Sequence, residues 1–174
     1  SRAMVFGGTS TCDYTWERAD REAREKDYLN HSMLVAQGKA ERKPMRQKVT
    51  EHKISVSLSE YKGKPDFFVP AKLTDEQLQA QIDRAKQAAA DRLTDEQKDL
   101  AGDAANDMVE SMLKKNNQAT EIKGVGDAAY WSKVGMGGLY VLVGNTRIYI
   151  SPMIADTEEE DIENAKRITA ALLK

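Results

Sequence analysis

Chemistry in a chain of this kind needs an activated nucleophile, a set of metal ligands or a loop that cradles phosphate, and few residues here are suited to any of them. Cys12 is the only cysteine, which excludes an internal disulfide and a multi-cysteine metal site within these residues. No histidine or basic residue is placed in the sequence to activate its thiol. Two readings of Cys12 remain: a small apolar core residue, as free cysteine ordinarily behaves, or a bridge to a cysteine outside these residues. The two histidines are isolated. His31 stands in a charged helical segment and His52 just before a strand, neither with a second ligand at metal-site spacing. Glu17–Asp27 is dense in acids, but they alternate with bases, and Glu17–Arg21, Asp20–Arg24 and Glu22–Lys26 are i, i+4 pairs with the acid N-terminal. Each supports a helix by about 0.2–0.5 kcal/mol, so the pattern reads as surface pairing. Gly124-Val125-Gly126-Asp127 has glycines spaced as in an anion loop, yet it leads into a strand, whereas phosphate loops lead into a helix N-terminus. It reads as a structural turn. The expectation is no catalytic residue, no metal ligand and no cofactor.

Binding is the chemistry that remains. Between Tyr61 and Thr74 a loop rich in Lys, Gly and Pro carries the adjacent pair Phe67-Phe68. A large aromatic held in a loop can supply much of an interface's energy, which makes Phe67 and Phe68 the candidate partner-binding residues. The competing reading tucks them under the helices that follow. The connector Ala40–Lys53 carries Arg42, Lys43, Arg46, Lys48 and Lys53, but no aromatic residues interleave with them, so nucleic acid is not an expected partner. A net charge of −2 supplies no general pull towards nucleic acid or anionic lipid.

The elements that must position these residues can be read from periodicity. Leu139–Val143 and Thr146–Ile150 flank Gly144-Asn145, a two-residue turn that fixes a register pairing Val143 with Thr146, Tyr140 with Tyr149 and Leu139 with Ile150. Leu139, Val141, Val143, Ile148 and Ile150 then share one apolar face. Thr157 with Glu160 has the form of a capping box, and Ile162, Ala165, Ile168 and Leu172 continue at helical spacing. That helix is expected to cover the apolar face. Ile54–Ser59 alternates apolar and hydroxyl residues, the pattern of an antiparallel strand with one wet face. Asp127–Ser132 and Thr11–Glu17 complete the expected sheet. Cys12, Tyr14 and Trp16 are expected on its buried face, and the stripe Ala19, Ala23, Leu29, Met33, Ala36 is expected to rest a helix on it. Leu73-Thr74-Asp75-Glu76-Gln77 recurs as Leu93-Thr94-Asp95-Glu96-Gln97, two helix starts with Thr at the N-cap. The first helix presents Leu78, Ile82, Ala85 and Ala89, the second Leu100, Ala104, Met108 and Met112, with Val109 and Leu113 beside them.

The fold expected is α+β, an antiparallel sheet packed by helices, with a helical hairpin inserted at about 73–116 of a single domain spanning 1–174. A chain of 174 residues can bury an adequate core without staples. At 40% hydrophobic and 31% charged it contains no apolar run near the ~18–20 residues of a membrane span. Ser1 is not an initiator methionine, which suits either a removed preceding piece or a cloning remnant at Ser1–Ala3.

Cys12-Asp13-Tyr14-Thr15-Trp16 near the start, and Gly-x-Gly-Asp-x-Ala-x-Trp at Gly124–Trp131 followed by a hairpin and a terminal helix, carry a resemblance. The chain resembles a family of uncharacterised bacterial envelope proteins, many of them predicted lipoproteins or periplasmic proteins, over its two ends, roughly half its length. The resemblance implies an exported α+β sandwich-like domain with no established activity. Membrane contact is then expected only through a lipid anchor outside these residues. The expected function is a non-enzymatic envelope domain that binds another protein as an adaptor or immunity-type protein. The alternative is a small-ligand carrier or hydrolase with a cleft between sheet and helices.

Overall fold

The computed structural model describes residues 2–6, 8–41, 50–91 and 95–174, with side chains described for 8–41, 50–91 and 105–174. The Gly144-Asn145 turn joins β6 (Gly138–Val143) to β7 (Thr146–Met153). Gly144 alone of the pair is left-handed, at φ 56°, which suits a turn with glycine at its first central position. The register is the expected one: Val143 opposite Thr146, Tyr140 opposite Tyr149, Leu139 opposite Ile150. β1 (Arg2–Phe6), β2 (Thr9–Glu17), β3 (Glu51–Glu60), β4 (Thr120–Glu121) and β5 (Ala128–Ser132) complete a seven-stranded sheet. Its order is β1-β2-β3-β7-β6-β5-β4, every pairing antiparallel. The fold is α+β, as the alternation predicts.

The C-terminal helix α4 (Glu158–Leu172) lies on β6 and β7. Thr157 Oγ1 accepts the Glu160 N–H at 3.3 Å, and the Thr157 hydroxyl donates to the Glu160 carboxylate at 3.0 Å, so the cap closes through the two side chains. Beneath the helix, Ala129, Trp131, Leu139, Val141, Ile148 and Ile150 form the core with Ala165. Burying each of the larger side chains contributes about 1.5–3 kcal/mol. Asp161 accepts N–H bonds from Ile154 at 3.3 Å and Ala155 at 3.0 Å, pinning the connection from β7 into α4.

A helix about 10 Å wide spans roughly two strands at their ~4.8 Å spacing, so α4 cannot cover a seven-stranded sheet. The consequence corrects one expectation. Cys12, Tyr14 and Trp16 do share a face with Val56 and the α4-side core, but Tyr14 and Trp16 remain 48% and 45% exposed and Cys12 only half-buried. Trp16 leans on the His52 ring, 5.2 Å between centroids. A second expectation fails with it. α1 (Arg21–Ala36) buries none of its side chains, and Leu29 and Met33 face solvent.

Between β3 and β4 the chain forms the expected helical hairpin, α2 (Asp75–Ala90) and α3 (Asp95–Asn116). α2 starts on a full capping box. Thr74 Oγ1 accepts the Gln77 N–H at 3.3 Å, and Gln77 Oε1 accepts the Thr74 N–H at 3.0 Å. Ile82 is fully buried, whereas Met108 and Met112 point outward and Val109 and Leu113 turn inward. The apolar stripe of α3 therefore runs through the valine and leucine and misses the methionines. At the neck Asn117 accepts the Leu73 N–H at 2.7 Å and donates to the Leu73 carbonyl at 3.2 Å, tying entry to exit. The second cap at Thr94, the side chains of Leu100 and Ala104, and Arg42, Lys43, Arg46 and Lys48 lie outside the described residues. Among the described residues no helix is long and apolar enough to cross a membrane.

Candidate functional site

Pro65–Phe67 form a single 3-10 turn, with the Phe67 N–H bonded to the Lys64 carbonyl at 3.0 Å and the Phe68 N–H to the Pro65 carbonyl at 2.9 Å. The turn sends the two neighbouring rings in different directions. Phe67 is 75% exposed; Phe68 is 5% exposed. Phe68 is therefore not an exposed anchor. It packs edge-on against Tyr61 at 5.1 Å and Tyr130 at 5.5 Å, because the turn places it over the aromatic face of the sheet.

That face carries a ladder across three strands. Tyr130 stacks on Tyr140 at 4.9 Å, and Tyr140 meets Tyr149 at 4.6 Å. Tyr149 leans on Gly138, where a Cβ would fall 2.3 Å from the ring, and its hydroxyl donates to the Gly137 carbonyl at 3.3 Å. Burial pushes the Tyr130 phenol up to about 12 and raises Tyr140 as well. Both phenols are neutral at ordinary pH. The ladder roots Phe68, and Phe68 roots the turn that presents Phe67. Tyr61 fixes the other side of the loop: its N–H bonds to the Asn145 carbonyl at 2.8 Å and its hydroxyl donates to the Lys64 carbonyl at 3.2 Å. On the same loop Lys62, Lys64 and Lys72 are exposed, Lys62 within 3.5 Å of the Glu60 carboxylate, and Asp66 is exposed beside Phe67. Spacing alone gave no sign of Tyr61 or Tyr130 as supports, although period-2 alternation places Tyr130, Tyr140 and Tyr149 on one face once the pairing is known.

The Gly124–Asp127 segment is a clasp. Gly126 sits at φ 60° against the backbone of Leu142, the Asp127 N–H bonds to the Leu142 carbonyl at 2.8 Å, and the segment continues into β5. The charged start of α1 is also structural. Arg18, Asp20, Arg24 and Asp156 close an alternating ring of ion pairs at 3.0, 2.7, 2.5 and 3.2 Å, tying α1 to the loop before α4. Asp20–Arg24 and Glu17–Arg21 form as expected, but the link to Asp156 joins residues far apart in the chain. His31 Nε2 lies 2.8 Å from the Glu41 carbonyl, an ordinary surface contact.

Open grooves among the described residues include three on the surface. One, about 670 Å³, is open and runs past Arg18, Asp156, Glu159, Glu163 and Arg167. The others follow the start of α1, about 620 Å³, and the outer side of α3, about 430 Å³. Among the described residues no group of three or more His, Cys, Asp or Glu side chains is arranged to hold a metal ion. No protein-family model matches the chain, and neither a curated protein nor a solved structure matches it.

Proposed function

We propose that the protein is a non-enzymatic binding domain of the bacterial cell envelope that captures another protein through the Phe67 loop. The observation that supports this reading is the split between the two phenylalanines. Phe68 is locked into the aromatic face while Phe67 stands 75% exposed on the same turn. A large ring held out by a turn that is already fixed loses little further freedom on binding, which is the condition for an effective anchor. The loop that carries it has charges of both signs, Lys64 before the turn and Asp66 within it, which suits an apolar pocket with a polar rim on the partner. The envelope location rests on the resemblance at the two ends of the chain.

A photo-crosslinking phenylalanine analogue in place of Phe67, with the same analogue in place of the exposed Gln79 as control, tests the reading in cells. A discrete protein adduct at position 67, absent at 79 and lost by competition with unmodified protein but not with a Phe67→Ala variant, is expected. No adduct at 67, or identical adducts at both positions, would remove Phe67 as the anchor. Recovery of the protein from the cytoplasmic fraction would remove the envelope location.

A further inference from the structure

Among the described residues, the β2–β3 half of the sheet carries no helix on the α4 face, and α1 packs its Leu29–Met33 stripe on no strand. On the face that α4 covers at β6 and β7, the strands β2 and β3 leave Tyr14, Trp16 and Leu58 exposed by 48, 45 and 43%. α1 leaves Leu29 and Met33 exposed by 64 and 62%, with Ala36 on the same stripe, and none of its residues is fully buried, although Arg24, His31, Ser32 and Val35 are half-buried. A lone helix of this length is marginal in water, so most of its stability has to come from packing its apolar stripe. The ring of Arg18, Asp20, Arg24 and Asp156 ties the first turn of α1 to the loop before α4, and among the described residues no helix covers β2 and β3 on this face.

We infer that α1 of a second copy of this chain packs on the bare β2–β3 face, and the reverse, in a two-fold dimer. One contact of this kind already exists within the chain, where α4 lies on the same face of the same sheet. A two-fold pair supplies both missing partners at once, because each copy gives a helix and receives one. The area is sufficient. With aromatics burying 150–250 Å² each, the six side chains offer on the order of 500–600 Å² of apolar surface per chain, most of the ~800 Å² a partner contributes to a standard interface. This contact is separate from the Phe67 loop, and failure of one leaves the other untouched.

Sedimentation velocity of the unaltered chain over a concentration series tests it. A monomer–dimer equilibrium is expected. Met33→Glu on the helix and, separately, Trp16→Glu or Leu58→Glu on the sheet should each weaken it at least ~10-fold, as loss of an interface hot spot does. Met33, Trp16 and Leu58 are exposed by 62, 45 and 43% in one chain, and far-UV circular dichroism with thermal melts checks that each variant folds. An equimolar mixture of Met33→Glu and Trp16→Glu chains retains one intact helix–sheet contact and should associate more tightly than either variant alone. A monomer at every concentration, an open polymer, or a dimer indifferent to Met33→Glu would overturn the inference.

Discussion

The Asp127 carboxylate accepts the backbone N–H of Gly144 at 2.6 Å, fastening the segment before β5 to the hairpin turn 17 residues further along the chain. Asp127 also donates its own N–H to the Leu142 carbonyl, so one residue holds both the strand end and the turn of its neighbour. The turn is thus positioned by its two residues and by a partner strand.

Asp127→Ala should destabilise the fold by about 1 kcal/mol, because the lost bond is charge-assisted but lies at the surface. Urea unfolding measures the cost. Faster amide exchange at Gly144, with the rest of β6 unchanged, would locate it at the clasp.

Gly126 and Gly124 should respond differently to alanine. Both are left-handed, at φ 60° and 77°, which costs a residue with a Cβ about 1–2 kcal/mol. At Gly126 the added carbon would also fall 2.6 Å from the Leu142 carbonyl oxygen and 2.6 Å from Val141, whereas at Gly124 nothing lies within 4 Å. Gly126→Ala should therefore lower the unfolding midpoint clearly more than Gly124→Ala; equal losses would contradict the close approach.

Phe68→Ala should cost about 3–5 kcal/mol of stability, as truncating a buried phenylalanine does, while Phe67→Ala should stay within about 0.5 kcal/mol of the parent. The Phe68 variant also lets water reach Tyr130. Its phenol, held at about 12 by burial, should then titrate lower. Ultraviolet titration of the tyrosines reads that shift directly.

Acid should loosen two places first. Bonds from Arg24 and Arg18 hold Asp20 at about 2, and bonds from Lys114 and Lys86 hold Glu110 at about 2, against ordinary values of 3.8 and 4.5. A carboxyl lowered on folding contributes fully above its unfolded value, and that contribution disappears as pH falls from about 4 towards 2. Hydrogen exchange should show the start of α1 and the α2–α3 contact opening in that window, ahead of the α4-covered core. Both groups are substantially exposed, so added salt should shrink the effect. Asp20→Asn should remove the acid response of α1 alone.

Much of this fold was legible in local sequence. Side-chain alternation has period 2 and a two-residue turn leaves one register, so Leu139–Ile150 could be paired residue by residue, and Thr74 and Thr157 announced their helices through caps a few residues long. Those signals act over distances that sequence spacing measures. Tyr14 and Trp16 show the limit: alternation put them on the same face as the core strands, but whether that face is covered depends on the width of α4 against the width of the sheet. Phe67 and Phe68 show it again. Neighbours in sequence, they were separated into an exposed ring and a buried one only because the 3-10 turn sits over Tyr130 and Tyr61, which other parts of the chain deliver. The strands, turn and caps were set by nearest-neighbour geometry; burial was decided by which distant element lies above each face, and the Asp127–Gly144 bond depends on the pairing of β5 with β6.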